Sequence, residues 1–342
     1  MKTPRTRIAC FGEALIDFLA KPANGADEPR AFHQFAGGAP ANVAVAVARL
    51  GFDAQFIGMF GEDMFGDFLI DSLHRAGVGT EHTARTGAAN TALAFVALDA
   101  DGERHFNFYR PPAADLLFRR EHFRDACFDG LASFHVCSNS LTESDIADAT
   151  VFGMRRARES GAIVSCDLNW RPALWNGHAD PHPRLWAALR EADVIKLARS
   201  ELEFLARPLG DAHRHAGEAD VLDRAWQGHA QLLIVTDGDA PMRWFTREHS
   251  GSVPSFKVRA IDTTAAGDAF VGGLLFGLAG RNVDAAGLAG FLRDKSALED
   301  ALRFAGAVGA LAVTRHGAFA AMPTLADVQT LIETNDGSPH AR

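Results

Sequence analysis

The chain has 342 residues, of which 47% are hydrophobic, and a formal net charge of −9. This length allows one large or two modest domains with a substantial core, and the acidic balance argues against a nucleic-acid-binding surface. No apolar stretch reaches the about 20 residues that a membrane-spanning helix needs. Glu13 and Asp17 interrupt the apolar N-terminal region, which argues against a signal peptide. We therefore expect a cytoplasmic protein that binds neither nucleic acid nor membranes.

Short β-type runs alternate with helical segments along the chain, which predicts a parallel sheet covered on both faces. Ligands of such sheets bind beyond the carboxyl ends of the strands. No linker separates two domains, so residues 1–330 are predicted to form a single domain and 331–342 a C-terminal tail. The strands are predicted at 8–12, 55–58, 133–136, 163–167, 194–197 and 232–236, and helices at 64–76, 143–160 and 301–312.

Two regions break this alternation. Residues 17–19 with 31–35, and 91–98 with 103–109, have the pattern of strands without crossover helices between them. Asp101-Gly102 is a typical hairpin turn signal. These segments predict a second, small sheet formed by about residues 17–35 and 91–110.

The segment 262–268, Asp-Thr-Thr-Ala-Ala-Gly-Asp, precedes a long apolar run and has the pattern of an anion-binding turn. Small residues at 265–267 let backbone N–H groups converge at the start of a helix, where they favour a phosphate. Asp268 would lie in the first helical turn, poised to take a proton from an attacking alcohol. The same residues are compatible with a buried helix that Asp262 or Thr264 caps, with Asp268 merely complementing the helix dipole.

A second segment, Gly37-Gly38 followed by Pro40 and Asn42, opens a helix predicted to end at Leu50. The two glycines allow a ligand close to the backbone, and Asn42 offers a donor and an acceptor to a hydroxyl group. A Gly-Gly turn before an amphipathic helix accounts for the same pattern.

Neither cysteines nor histidines suggest a transition-metal site. The chain has four cysteines without metal-type spacing, and they are predicted to be reduced core residues. Fourteen histidines are present, but none forms a His-Glu-x-x-His motif.

Taken together and in this order, the two segments resemble the paired signatures of the ribokinase-like (PfkB) carbohydrate kinases. The first signature continues from Asn42 through Gly51 to Gly61, the second fits from Asp262 to Phe270, and family-like features span 12–323. The resemblance implies an α/β fold, a three-layer α/β/α sandwich around a mainly parallel sheet, with a small β-sheet lid over the sugar. Lids of this family often pair between subunits, so the resemblance also implies a homodimer through the lid.

The resemblance further implies ATP-dependent phosphorylation of a sugar hydroxyl, with Mg²⁺ on the ATP and Asp268 as the general base. The implied anion hole consists of Ala265, Ala266 and Gly267. The implied substrate-binding residues are Asp17, Gly38, Asn42, Arg110, Asn169 and Arg171. The implied nucleotide-binding residues are Lys196, Glu201, Thr236, Gly238, Ala305 and Val308.

Two parts of this assignment are qualified by the sequence. Ala198 stands where the family's Asn-x-x-Glu region has asparagine, so a direct metal role for the segment ending at Glu201 is doubtful. The Ala-rich helix around 305 and 308 is explained equally well by packing. The family's K⁺ site would be formed here by Asp262, Thr264, Ala312, Arg315 and Gly317, with Ala321 in place of an expected serine.

The stretch from Arg110 to Asp115, Arg-Pro-Pro-Ala-Ala-Asp, is similar to that of bacterial fructokinases. This similarity implies conversion of D-fructose to fructose 6-phosphate. A 2-keto-3-deoxygluconate kinase, a ribokinase and, less favoured, a nucleoside kinase remain as alternatives. A catalytically silent sugar- or nucleotide-binding regulator would require a damaged anion hole or base, whereas both are intact in the sequence.

Overall fold

The computed structural model describes residues 6–21, 31–98, 104–110, 112–175, 180–209 and 217–336. Its strands are β1 (Arg7–Phe11), β2 (Leu15–Ala20), β3 (Phe32–Gly37), β4 (Asp53–Ile57), β5 (Met59–Gly61), β6 (Val78–Gly79), β7 (Ala84–Thr86), β8 (Leu93–Leu98), β9 (Arg104–Tyr109), β10 (Leu131–Cys137), β11 (Ile163–Asp167), β12 (Val194–Ala198), β13 (Leu232–Thr236), β14 (Met242–Phe245) and β15 (Ser250–Val253).

The α-helices of the same described residues are α1 (Ala39–Arg49), α2 (Met64–Arg75), α3 (Ser144–Glu159), α4 (His182–Leu189), α5 (Arg199–Ala206), α6 (Glu218–Trp226), α7 (Ala266–Gly280), α8 (Ala285–Arg293), α9 (Lys295–Ala312) and α10 (Leu325–Asp336). Among the described helices none is long and apolar enough to cross a membrane. Because α10 continues to Asp336, the tail predicted to begin at 331 starts within a helix. The single-domain organisation of 1–330 stays a prediction.

A nine-stranded sheet forms the centre of the fold, in the order β15-β14-β13-β12-β11-β10-β1-β4-β6. Its neighbours pair in parallel from β13 to β6, whereas β14 and β15 add an antiparallel edge. All six predicted central strands belong to this sheet. Their carboxyl ends therefore meet along one edge, where ligands of such sheets bind.

Side chains of the central strands alternate between two hydrophobic cores, one on each face of the sheet. In β1, Ile8 and Cys10 enter the core beneath α1, α7 and α9, whereas Ala9 and Phe11 enter the core beneath α3, α4, α5 and α6. This period-2 alternation with apolar residues on both faces is the physical reason that helices cover the sheet twice. The predicted three-layer α/β/α sandwich is confirmed, and all four cysteines are free and buried.

The small sheet has the order β3-β2-β8-β9. β2 pairs antiparallel with β3 and parallel with β8, and β8 pairs antiparallel with β9. Asp17 lies within β2, opposite Phe35 of β3 and Ala94 of β8. The predicted second sheet is therefore present, while the predicted Asp101-Gly102 turn lies outside the described residues.

Candidate active site

The start of α7 is built for an anion. Ala265 precedes the helix in the left-handed conformation, with φ 59°, and within the described residues no side chain caps the helix. Asp262 instead accepts hydrogen bonds from the N–H groups of Thr264 at 2.8 Å and Gly317 at 3.1 Å. Neither Asp262 nor Thr264 is thus a helix cap. The Ala266 N–H makes a long bond of 3.4 Å to the Thr263 carbonyl oxygen, a weak contact that a bound anion would replace.

Asp268 lies in the first turn of α7 and is only 7% exposed. Its Oδ2 accepts a hydrogen bond from Asn42 Nδ2 at 2.7 Å, and its Oδ1 accepts one from Asn169 Nδ2 at 3.3 Å. Burial raises the pKa of Asp268 to about 7, although the Asn42 hydrogen bond opposes that shift. A carboxylate with a pKa near neutrality is well matched to general-base catalysis.

A buried ammonium group lies beside these amides. Lys196 Nζ is 3.1 Å from Asp167 Oδ2, and a Cβ placed on Gly267 would be 2.9 Å from the same nitrogen. Burial opposes the charged form of Lys196, but the carboxylates of Asp167 and Glu201 outweigh it and raise the pKa of the lysine. Lys196 therefore contributes a permanent positive charge next to the anion hole.

Glu201 is tied to the backbone. Its Oε2 accepts from the N–H of Ala198 at 2.6 Å, and its Oε1 accepts from the N–H of Trp170 at 2.7 Å. The carboxylate thereby joins the start of α5 to the loop after β11. In that loop, Asn169 has a positive φ of 42° and directs its amide to Asp268, whereas Arg171 is exposed.

These groups surround a cavity of about 570 Å³, here named the first cavity. At its rim, Gly38 has φ 107°, and a Cβ there would lie 2.6 Å from the Glu13 carbonyl oxygen, so only glycine fits. The structure thus brings twelve of the predicted residues together. The predicted site residues that line the cavity are Asp17, Gly38, Asn42, Arg110, Asn169, Arg171, Lys196, Glu201, Ala265, Ala266, Gly267 and Asp268.

A polar network at this cavity was missed by the sequence prediction. Glu13 Oε1 accepts hydrogen bonds from Asn139 Nδ2 at 2.8 Å and from the N–H of Ala39 at 3.3 Å. Arg110 donates to Asp115 and to the carbonyl oxygen of Asn139, the latter at 2.9 Å. Glu13 follows the end of β1 and Asn139 follows the end of β10, so the rule that ligands bind beyond the carboxyl ends of the strands could have identified both.

A second cavity of about 380 Å³ adjoins the first, and Thr263, Ala266 and Gly267 line both. The anion hole therefore lies where the two cavities meet. Thr236 and Gly238, two of the residues predicted to bind the nucleotide, line the second cavity.

Ala305 and Val308, also predicted to bind the nucleotide, do not line this cavity. Both are fully buried, and a Cβ on Gly273 of α7 would lie 2.8 Å from Val308 Cγ2 and 3.0 Å from Ala305 Cα. Residues 305 and 308 are one turn apart and share the face of α9 that packs on α7. The cavity is lined instead by Gly306, Gly309 and Ala310, and by Val313 just after the helix, and of these Gly309 also lies close to α7.

The predicted K⁺ ligands come together only in part. Asp262, Thr264 and Gly317 line a small cavity of about 30 Å³, room for roughly one water molecule or one ion. Ala312 and Arg315 do not line it: Ala312 is fully buried in α9, and Arg315 pairs with Asp327 at 3.7 Å.

Comparison with known proteins identifies the family of this chain. Residues 5–325 match the model of the pfkB family carbohydrate kinases. The chain belongs to this family. Two cavities that meet at an anion hole are what a carbohydrate kinase needs, since it must hold a sugar and a nucleotide end to end.

Relatives within the pfkB family extend over nearly the whole chain. A fructokinase from Xylella fastidiosa, solved with bound ATP, is 57% identical with a TM-score of 0.92, covering 97% of this chain and 99% of that one. Fructokinase-1 of Oryza sativa subsp. japonica is 40% identical over 328 residues, or 96% of this chain and 98% of the relative. A Vibrio cholerae O395 fructokinase bound to fructose, ADP and calcium is 30% identical with a TM-score of 0.79, covering 96% and 99%.

Proposed function

We propose that this carbohydrate kinase is a fructokinase, which transfers the γ-phosphoryl group of ATP to D-fructose and releases fructose 6-phosphate. The observation that supports it most is the meeting of two cavities at the anion hole, with a buried base of near-neutral pKa beside it. The similarity to fructokinases from plants and bacteria supports the choice of sugar. A cytoplasmic location remains a prediction from the sequence.

Asp268 is the proposed catalytic base. The sugar hydroxyl gives its proton to the Asp268 carboxylate while its oxygen bonds to the γ-phosphorus, and the bond from that phosphorus to ADP breaks. General-base catalysis of this kind typically contributes about 10²–10⁴-fold to the rate. The Asn42 and Asn169 amides hold the carboxylate in one orientation, so its acceptor oxygens are positioned before the sugar arrives.

Charge on the transferring phosphoryl group meets donors from two sides. The N–H groups of Ala265, Ala266 and Gly267 lie at the start of α7, and the Lys196 ammonium lies next to Gly267. Arg171 at the cavity rim adds a planar fork suited to phosphate oxygens. Preorganised donors of this kind usually supply the largest stabilisation of such a transition state.

Magnesium fits this site through water. Asp167 is engaged by Lys196, and both oxygens of Glu201 accept backbone N–H groups, so neither carboxylate is set up as a direct metal ligand. Bound together with ATP, Mg²⁺ would neutralise phosphate charge and would keep several of its waters. These two carboxylates would hold its water shell rather than the ion.

The sugar is proposed to bind between the first cavity's floor and the small sheet. Asp17 from β2 and Asn42 from α1 supply acceptors for its hydroxyls, with the Gly38 backbone close by. Asn42 is buried, and within the described residues its Oδ1 has no hydrogen-bond partner. A hydroxyl donor from the sugar would satisfy it.

The small sheet is proposed to act as a lid and to join two subunits. Its outer strands β3 and β9 expose Phe32 and Tyr109, 41% and 60% accessible, and both rings contact Phe95 between them. Exposed strand edges beside exposed aromatic rings favour association with a second copy. Lid closure would exclude water and suppress ATP hydrolysis. Analytical ultracentrifugation of the wild type against Phe32→Ser/Tyr109→Ser tests this, and a monomeric wild type would contradict it.

One assay tests the substrate. An ATP-coupled measurement of kcat/KM across ketoses, aldoses, keto-deoxy acids and nucleosides should rank D-fructose first, with discrimination on the order of 10²-fold because unpaired buried polar groups penalise wrong sugars. If 2-keto-3-deoxygluconate or ribose ranks first, fructose is not the substrate although the kinase assignment stands. Phosphorylation of nothing in the panel would favour a silent regulator.

A further inference from the structure

Arg110 and Asp115 form a buried ion pair at the first cavity. Each residue is 5% exposed, and Asp115 Oδ2 accepts from Arg110 Nε at 2.8 Å and from Nη2 at 2.5 Å. Arg110 lines the cavity and Asp115 does not. Asp115 therefore sits behind Arg110, where it holds the guanidinium in one orientation and cancels its charge.

The charge of Arg110 is already neutralised within the protein. Glu13 lines the same cavity, is attracted to Arg110 and is repelled by Asp115, so the three groups lie within one electrostatic neighbourhood. Burial raises the pKa of Glu13, whereas Asp115 pairs directly with the guanidinium and cancels its charge. The pair therefore offers no surplus positive charge to a substrate carboxylate.

We infer that Asp115 is a specificity-determining residue that makes this cavity select uncharged sugars and reject sugar acids, acting through Arg110. The inference rests on the proposed function, in which the first cavity binds the sugar. Beyond that function, it identifies sugar acids as excluded substrates and Asp115 as the residue that excludes them.

The chemistry of arginine explains why such a device is needed. A guanidinium free of its own carboxylate is a bidentate receptor for a substrate carboxylate. Here one edge of the fork, Nε and Nη2, is already bonded to Asp115, and among the described residues Nη1 donates to none. Nη1 can therefore donate a single hydrogen bond to a neutral hydroxyl. A sugar carboxylate would find the Nε and Nη2 edge of the fork occupied and would be repelled by the Asp115 carboxylate behind it.

The test compares the wild type with Asp115→Asn, which keeps the side-chain shape and removes the charge. Two substrates are used, 2-keto-3-deoxygluconate and the best uncharged sugar of the panel. The ratio of kcat/KM for the uncharged sugar to that for the acid should fall at least about tenfold, mainly through a lower KM for the acid. Asp115→Glu, which restores the charge, should return the ratio toward the wild-type value.

Two controls separate this effect from a general loss of packing. Asp193→Asn removes the charge of another buried carboxylate. Asp193 immediately precedes β12, pairs with Arg158 at 2.9 Å and does not line the first cavity. It should lower stability and leave the substrate ratio unchanged. Arg110→Gln/Asp115→Asn removes both charges and should bring no gain for the acid, because no guanidinium remains to bind it.

An unchanged ratio in folded Asp115→Asn would overturn the inference, and so would a gain for the acid in the double variant. Should Asp115→Asn fail to fold, Asp115→Ser decides, since it removes the same charge with a smaller side chain and must shift the ratio in the same direction. Because the reference is whichever uncharged sugar is best, a wild type that prefers another neutral sugar disproves only the fructose assignment. A wild type that prefers the acid disproves both the fructose assignment and the inference about Asp115.

Discussion

Asn42 donates a hydrogen bond of 2.7 Å from Nδ2 to Oδ2 of Asp268 and thereby connects the first turns of α1 and α7. The two helices pack closely because Gly272 of α7 has no side chain. A Cβ at this position would lie 2.6 Å from the Ala46 Cβ and 3.2 Å from the Val43 carbonyl oxygen of α1. The pair of sequence signatures is thus one physical unit. Its glycine contact sets the helix spacing, and that spacing brings the amide to the base.

Asp268→Asn should lower turnover by at least about 10²-fold while ATP binding stays within about twofold of the wild type. The amide cannot take the hydroxyl proton, but it fills the same space and leaves the second cavity untouched. Steady-state kinetics with fructose and calorimetric titration with ATP measure the two effects. Unchanged turnover in a folded variant would remove Asp268 from the role of base.

The acidic limb of the pH profile should report the same carboxyl. Since burial raises the pKa of Asp268 to about 7, half of the free enzyme should be protonated and inactive near pH 7, so kcat/KM should rise about tenfold between pH 6 and 8. A flat profile across this range would show that the base titrates elsewhere.

Protein stability gives an independent measure of that shift. A raised carboxyl pKa stabilises the folded state below the unfolded value, and this contribution is lost as pH rises to the folded value near 7. Moving from pH 5.5 to 8 should therefore lower the unfolding free energy of the wild type by about 2 kcal/mol relative to Asp268→Asn. Denaturant titrations at both pH values measure this difference, and a constant difference would contradict the shift.

The sequence predicts the central fold well because its strands obey a local rule. Each predicted strand is a short apolar run, and apolar residues on both faces require helices on both sides. The antiparallel edge is different: Ser250–Val253 reads Ser-Gly-Ser-Val and has no apolar pattern. It becomes a strand only because Met242–Phe245 lies beside it, a pairing that no local pattern encodes.

The site shows the same division between local and long-range information. The anion hole and Asp268 follow from one continuous segment and could be predicted. The contact between Glu13 and Asn139 joins residues 126 positions apart, so its geometry depends on strand order in the sheet. Composition identifies α9 as a small-residue helix, but packing on α7 decides which of its residues line the second cavity, and Ala305 and Val308 are not among them.

Asp17→Ala should weaken sugar affinity by about 10- to 100-fold without changing ATP affinity, as expected for losing a hydrogen bond to a charged acceptor. Asp17 lines the first cavity and is absent from the lining of the second. Asp67→Ala is the matched control, since it removes an exposed carboxylate paired with Arg85 at 2.6 Å and should change neither affinity. Equal losses for sugar and ATP would place Asp17 in a structural role.

Potassium is expected to raise activity by adjusting the anion hole rather than by touching substrate. Three of the five predicted ligands, Asp262, Thr264 and Gly317, line the small cavity, whereas Ala312 and Arg315 lie outside it. The Asp262 oxygens accept hydrogen bonds from the N–H groups of Thr264 and Gly317. Rates in potassium-containing and potassium-free buffer at fixed ionic strength, and again in Asp262→Asn, measure the effect. Equal rates in the wild type would count against the site.

Gly267→Ala should separate catalysis from stability in α7. The new Cβ would lie 2.9 Å from Lys196 Nζ, and because that nitrogen ends a flexible side chain, the lysine should move aside without unfolding the protein. Its ammonium would then leave the anion hole, and kcat should fall at least about tenfold.

The control is Gly280→Ala at the other end of the helix, where a Cβ meets nothing within 4 Å. Each alanine should favour the helix by up to about 1 kcal/mol, so thermal unfolding of Gly280→Ala should match or exceed that of the wild type. In Gly267→Ala this gain is opposed by the weakened ion pair between Lys196 and Asp167, so that variant should be folded but less stable than Gly280→Ala. Only Gly267→Ala should have a lowered kcat. If both variants keep full turnover, the close approach of Lys196 to the anion hole has no part in phosphoryl transfer.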